Sequence, residues 1–181
     1  SNFACSIVVL NVGSIIDMKW VEKYQPAAVM YIWQGGMEGG NGIADVLTGK
    51  VSPSGKLSDT IAYDISDYPS TADFGDLEKN YYTEDIYVGY RYFETGAREK
   101  VLYPFGFGLS YTEFAYENCF FQVEGQKISL KVKVTNVGTV AGKESIQIYG
   151  CPPQGKLFKP LRNLVRFMKT KELQPGEEQI V

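Results

Sequence analysis

Trp33, Gln34 and Glu38 flank and interrupt a cluster of glycines (Gly35, Gly36, Gly39, Gly40, Gly42) that follows an apolar run. An indole, an amide and a carboxylate gathered where a parallel strand ends are the kind of groups an open α/β sheet presents to ligands. Glu38 is the one with acid–base chemistry, yet a carboxylate beside a helix N-terminus is stabilised in its ionised form, the opposite of what a general acid needs. A helix-end role is therefore expected for Glu38, and an ion-pair role for Glu84, the second acid considered. The sequence has no histidine, which removes Ser-His-Asp and Cys-His catalysis and the commonest metal ligand together. Catalysis would fall to carboxylates, and the 21 acidic residues contain no convincing pair. Cys5, Cys119 and Cys151 are odd in number and far apart, which fits free thiols better than a zinc site or a disulfide framework.

The elements that position these side chains are legible in the hydropathy pattern. Residues 27–33 read as a strand, and Ile43, Val46 and Leu47 fall at the i, i+3, i+4 spacing of one helical face. Gly49 stops that helix, and Pro53 with Gly55 turns the chain before Leu57. The glycines follow neither the dinucleotide fingerprint nor the Walker order, so they predict a turn with positive φ and close helix packing, not a phosphate site. Upstream, the β-branched run 6–10 reads as a strand covered on both faces. Ile16, Trp20 and Tyr24 predict an amphipathic helix that ends before Pro26. Strand, helix, strand, helix is a βαβ unit with parallel strands and a right-handed crossover.

Between Leu57 and Leu102 the periodicity fades and tyrosines accumulate: Tyr63, Tyr68, Tyr81, Tyr82, Tyr87, Tyr90 and Tyr92. Packing with hydroxyls at the surface is the expected use of these rings, with stacking on sugars as the alternative. Arg91 lies among them and, if buried, requires a carboxylate such as Asp85 or Glu84. Residues 86–93 read as extended, and the aromatic–glycine mixture at 103–112 as a tight corner. From Phe114 the pattern changes to alternation over 113–123 and 127–135, with Ile128, Leu130, Val132 and Val134 on one face. A turn at Asn136 and Gly138 leads to another alternating run, 144–149, closed by Pro152 and Pro153.

Three ordered stretches carry a resemblance. They are Gly36-x-Glu38-Gly39-Gly40 through Ala44-Asp45-x-Leu47-x-Gly49 to Pro53-Ser54-Gly55-Lys56-Leu57 and Thr60; Gly89-Tyr90-Arg91-Tyr92-Phe93; and 104–112 with Phe105, Gly106, Phe107 and Gly108. In order and spacing they resemble glycoside hydrolase family 3, which includes β-glucosidases and β-xylosidases. The resemblance implies an α/β fold, part of an α/β sandwich with a parallel βαβ unit (1–112), followed by an incomplete all-β fibronectin type III-like sandwich (113–181). It implies a parent enzyme that is an exo-acting retaining β-glycosidase, most simply a β-glucosidase, working on a β-linked oligosaccharide or glycoside. Retaining hydrolysis uses a carboxylate nucleophile and a carboxyl acid/base. In the family the nucleophile is an aspartate on a (β/α)8 barrel, and the acid/base glutamate of many members precedes the strand matching 6–10, so no catalytic residue is assigned here. Trp33, Gln34 and Glu38 are the substrate-binding candidates, as an outer subsite against the barrel. Neither cofactor nor metal is implied. The rival reading is a non-catalytic carbohydrate-binding or interaction module.

A net charge of −3 gives no electrostatic footprint for nucleic acid or an anionic membrane, and no apolar run approaches the ~20 residues of a spanning helix. The opening residues lack the pattern of a signal segment and enter a strand almost at once, so the chain is expected to be a piece of a longer polypeptide. A fibronectin-like sandwich takes about seven strands and about 100 residues, more than 113–181 holds. The uncovered apolar face and open edge are expected to make the isolated piece self-associate.

Overall fold

The first two β-branched runs form strands Ile7–Leu10 (β1) and Ala28–Tyr31 (β2), paired in parallel with Ile7 opposite Ala28 and Leu10 opposite Tyr31. They are seen in a computed structural model that describes residues 3–181. A parallel pair needs a crossover, and helix Trp20–Tyr24 (α1) lies in it. The helix is shorter than its apolar spacing predicts. Ile16 stays outside it and Tyr24 is exposed, while Gln25 adopts φ 45° and its N–H closes on the Val21 carbonyl, ending the helix. Met18, ahead of α1, is the side chain buried there. Nor is β1 covered on both faces: Ile7 and Val9 are exposed and Val8 and Leu10 half-buried, the alternation of a strand with one covered side.

The chain divides into two compact units. The first comprises Ser1–Ile43, Leu57–Phe107 and Gly150–Asn163. Its core is Ala62, Phe93 and Ala97, with Tyr68, Tyr92 and Val101 packed against them. Ile61–Ala62 (β3) and Val101–Tyr103 (β4) pair antiparallel, and Tyr68 meets Phe93 edge-on at 5.2 Å. Two 3-10 turns, Ile65–Asp67 and Pro69–Asp73, replace regular structure between them, the first capped by the Asp64 carboxylate accepting from the Ser66 N–H.

The extended reading of 86–93 is corrected here, because Tyr90–Gly96 is a helix (α3). Aromatic and β-branched residues favour strands locally, but the Ala97 N–H closes on the Phe93 carbonyl at 3.0 Å, the i to i−4 bond of a helix, and both side chains join the core. Gly89 starts the helix at φ 59°, a conformation that a side chain would strain.

The second unit comprises Ala44–Lys56, Gly108–Tyr149 and Leu164–Val181. From residue 114 on, the chain forms five strands, Phe114–Glu124 (β5), Lys127–Asn136 (β6), Ser145–Gly150 (β7), Asn163–Lys169 (β8) and Glu178–Ile180 (β9), ordered β5-β6-β9 in one sheet and β7-β8 in another. Val134, Ile146 and Leu173 form the core, joined by Phe114, Val132, Ile148, Met168 and Val181. Burial fades along β6 from Val134 at 0% exposed to Ile128 at 65%, so the predicted apolar face is covered only at its carboxyl end.

Asn136, at the end of β6, is fully buried, and its side chain is saturated. The amide donates to the Val140 and Leu173 carbonyls, both at 2.8 Å, and its oxygen accepts from Thr112 Oγ1 at 2.6 Å and the Gly138 N–H at 3.1 Å. Gly138 has no room for a side chain, since a Cβ there would sit 2.3 Å from Thr112 Oγ1. Truncating Asn136 would remove four hydrogen bonds, two of them buried, to Thr112 and Leu173, at about 1–3 kcal/mol for each buried bond lost. Asn136→Ala is therefore expected to lower the unfolding free energy by about 3 kcal/mol or more, read as a shift in the urea midpoint of β-sheet circular dichroism. A loss under about 1 kcal/mol would mean that the network is dispensable.

Candidate functional site

β2 runs out into a hollow in the first unit. Ile32 continues the ladder by donating to the Leu10 carbonyl at 3.0 Å, and then Trp33 turns the backbone into the left-handed region at φ 53°. For a bulky side chain that conformation is an outlier, worth about 1–3 kcal/mol of strain. Gly35 follows, where a Cβ would come within 2.9 Å of the Gly39 backbone. Gly36 is left-handed at φ 64°, and helix Gly39–Leu47 (α2) begins, four residues ahead of its first predicted apolar position. Asn11, Ile32, Gln34, Gly35, Gly36, Gly39, Gly40 and Ile43 line an open hollow of about 330 Å³ at this strand end.

The candidate side chains are divided by this geometry. Gln34 lines the hollow, with its Nε2 3.0 Å from where a Cβ on Gly13 would lie. Trp33 is half-buried, not in the lining, and its ring stands 4.6 Å from that of Tyr31. Glu38 is exposed at the head of α2, where its carboxylate accepts from Asn41 Nδ2 at 2.6 Å and its carbonyl from the Gly42 N–H. That is the helix-end role its position predicts. Glu84 lies in the turn before α3, with its carbonyl accepting from Tyr87. Arg91 pairs with neither Glu84 nor Asp85, and its Nε is buried without a hydrogen-bond partner among the described residues. The expected carboxylate partner within this stretch is thus not there; Asp85, in the turn at 82–85, is exposed. All three cysteines are exposed and unpaired, and the described residues hold no cluster of metal-ligating side chains.

Two groups near this end escaped the sequence reading. The Tyr31 hydroxyl donates to the Ser14 carbonyl at 2.7 Å, and burial first, then the charge of Asp59, push its pKa up. Asp59 is half-buried, and burial raises its carboxyl above the ordinary 3.8, opposed by a hydrogen bond from Ser58. No cation lies within ion-pair distance of it among the described residues. Only the Pro-Ser-Gly turn two residues before Leu57 hinted that the chain doubles back here, which it does through reciprocal bonds of Leu57 with Phe107 and Gly106.

Fold and site together define part of an α/β sandwich, with an open hollow at the end of a parallel βαβ unit, followed in the chain by an all-β part. The chain belongs to glycosyl hydrolase family 3, whose C-terminal domain model matches residues 1–111. A β-glucosidase of Ruminococcus albus is 52% identical over 182 residues, covering 98% of this chain and 19% of that protein. Among solved structures, the β-glucosidase of Paenibacillus barengoltzii is 53% identical with a TM-score of 0.93, covering 99% of this chain and 20% of that one. β-Glucosidase 3B of Thermotoga neapolitana, solved with α-D-glucose, is 42% identical with a TM-score of 0.87, covering 97% of this chain and 25% of that one. The chain thus spans about a fifth of the length of the curated relatives it matches.

The Asp59 geometry has a pH consequence. A carboxyl whose pKa is raised on folding is penalised while ionised, and the penalty disappears as pH falls through the folded pKa toward the unfolded value. Asp59→Asn is expected to raise the melting temperature at pH 7, and the difference from the unsubstituted chain should close as the pH approaches 3.8. A constant difference across that range would assign the effect to packing instead.

Proposed function

We propose that this chain is one part of an exo-acting retaining β-glycosidase, a β-glucosidase, that removes terminal non-reducing glucose from β-glucosides. The observation that carries the reading is identity above 50% through nearly the whole chain to proteins named β-glucosidase, with a backbone match of TM-score 0.93. In this reading the hydrolysis follows double displacement between two carboxyl groups ~5–5.5 Å apart, both supplied by the rest of the parent, the nucleophile from a (β/α)8 barrel. The contribution of these 181 residues is positional. The end of β2 presents Trp33, Gln34 and Glu38 toward the barrel as an outer sugar subsite, the indole offering an apolar face and the amide a donor and an acceptor.

Residues 1–112 are assigned in the same reading to the α/β sandwich domain and 113–181 to the start of a fibronectin type III-like domain. The end of the family match at residue 111 and the start of β5 at Phe114 support that division.

The full-length parent should hydrolyse a nitrophenyl β-glucoside with retention at the anomeric carbon, and the purified 181-residue chain should not. Turnover by the isolated chain that Glu38→Gln abolishes would overturn the assignment of both catalytic groups to the remainder. In the full-length enzyme Trp33→Ala should raise KM about fivefold, the equivalent of ~1 kcal/mol of ring contact, with kcat changed less. An unchanged KM would remove Trp33 from the subsite and leave it a packing residue beside Tyr31.

A further inference from the structure

Arg91 differs from the other arginines of the first unit. Arg98 reaches a Glu94 carboxylate oxygen at 3.0 Å, and Arg162 bonds to the other oxygen of the same carboxylate. Arg91 has no ion pair among the described residues, and its Nε is buried without a hydrogen-bond partner. Its guanidinium carbon lies 5.9 Å from the centroid of the Tyr90 ring, the outer limit of a cation–π contact. The location compounds the cost. Arg91 stands in the first turn of α3, where the helix dipole favours an anion over a cation, and no acidic residue shares that turn. Glu94, one turn along, is already committed to two other guanidinium groups.

The segment that leads into α3 adds a second observation. Phe74, Leu77, Tyr82, Ile86 and Val88 are exposed on it, with Phe74 and Leu77 above 90%. Exposed apolar and tyrosine side chains in the segment that leads to a half-buried arginine are residue types that interfaces favour. A half-buried cation without a counter-charge and apolar groups in water are costs that a permanent partner offsets. The chain spans 19–27% of the lengths of the relatives and solved structures it matches, and a partner tethered in the same polypeptide acts at high effective concentration.

We propose that Arg91 anchors residues 74–96 to the remainder of the parent polypeptide through an ion pair with a carboxylate that lies outside these 181 residues. The inference rests on reading the chain as one part of a longer family 3 enzyme. Full-length parent carrying Arg91→Lys, treated with a zero-length carbodiimide and mapped by mass spectrometry, should yield a cross-link from position 91 to an aspartate or glutamate of the remainder. A cross-link to a carboxylate within the 181 residues, or none at position 91, overturns the anchor. Arg91→Gln in the same protein should speed amide exchange across 74–96 about tenfold or more, the scale of a lost charged hydrogen bond, and Arg91→Lys less. Equal exchange in all three proteins also overturns it. β-Glucosidase activity of the unsubstituted parent is read separately. An inactive parent that gives the cross-link refutes the enzymatic reading and keeps the anchor, and an active parent without it does the reverse.

Discussion

A buried side-chain amide has two donors and an acceptor oxygen with two lone pairs to satisfy, and Asn136 satisfies all of them within its own unit. Its bonds reach Thr112 before β5, Gly138 and Val140 in the turn after β6, and Leu173 before β9, while its backbone pairs with Gly176 and Glu177. Five separated points of the chain are fixed to one residue. Apolar packing alone would allow strands to slip, because a hydrophobic contact has no direction. The amide supplies direction, and Val134, Ile146 and Leu173 then pack around a framework whose register is already set. Glu144 works beside it in the same way, buried and held by Tyr116 at 2.7 Å and Lys56 at 3.4 Å. Burial first, then that hydrogen bond, push the Tyr116 hydroxyl pKa up, so it stays a donor at any ordinary pH.

The first unit is organised differently, by backbone more than by side chains. Its strand end is built from conformations that ordinary residues avoid: Trp33 at φ 53°, Gly36 at φ 64°, and a Gly35–Gly39 approach too close for a Cβ. Such geometry turns β2 into α2 within a few residues and leaves the hollow open at the carboxyl end of a parallel pair. A glycine at position 33 would relieve the strain without a cost in φ, whereas the indole that stands there packs on Tyr31 and stays half-exposed. Strain retained at this strand end is strain that local stability does not account for.

How far the sequence discloses all this depends on the kind of physics involved. The parallel βαβ unit was legible because β-branched runs and glycine punctuation are local signals, and so were β5–β7, whose alternation has a period of two. The helix α3 was not, since nothing near Gly89-Tyr90-Arg91-Tyr92-Phe93 announces that Phe93 and Ala97 will share a core with Ala62. Ile16 and Tyr24 misled for the converse reason, as helical spacing existed without a surface to cover both. At the strand end, Gln34 and the glycines could be placed from their position after an apolar run. Asp59 and Tyr31 could not, because their proximity depends on the chain returning through Leu57 to Phe107, a pairing 50 residues long in sequence.

The distribution of charge says what kind of work this chain is built for. A carboxyl that donates a proton in catalysis is kept neutral by its surroundings, and most of the well-placed acids here are treated in the opposite way. Asp64 is held well below the ordinary carboxylate range by the Lys19 hydrogen bond and the Ser66 N–H, and Asp76 by the N–H groups of Glu78 and Lys79. Glu177 is lowered by Lys171 and the Gln174 N–H. Lys100 bonds Asp67 at 3.0 Å, and Glu94 holds two arginines. These are acids used as fixed anions to pin turns, caps and helices. Asp59 is the exception, raised by burial, and it faces Tyr31 and Tyr68 rather than a second carboxyl. A lone raised carboxyl among tyrosines lacks the partner that two-carboxylate hydrolysis requires, so the charges of this chain serve to hold its turns, caps and helices in place.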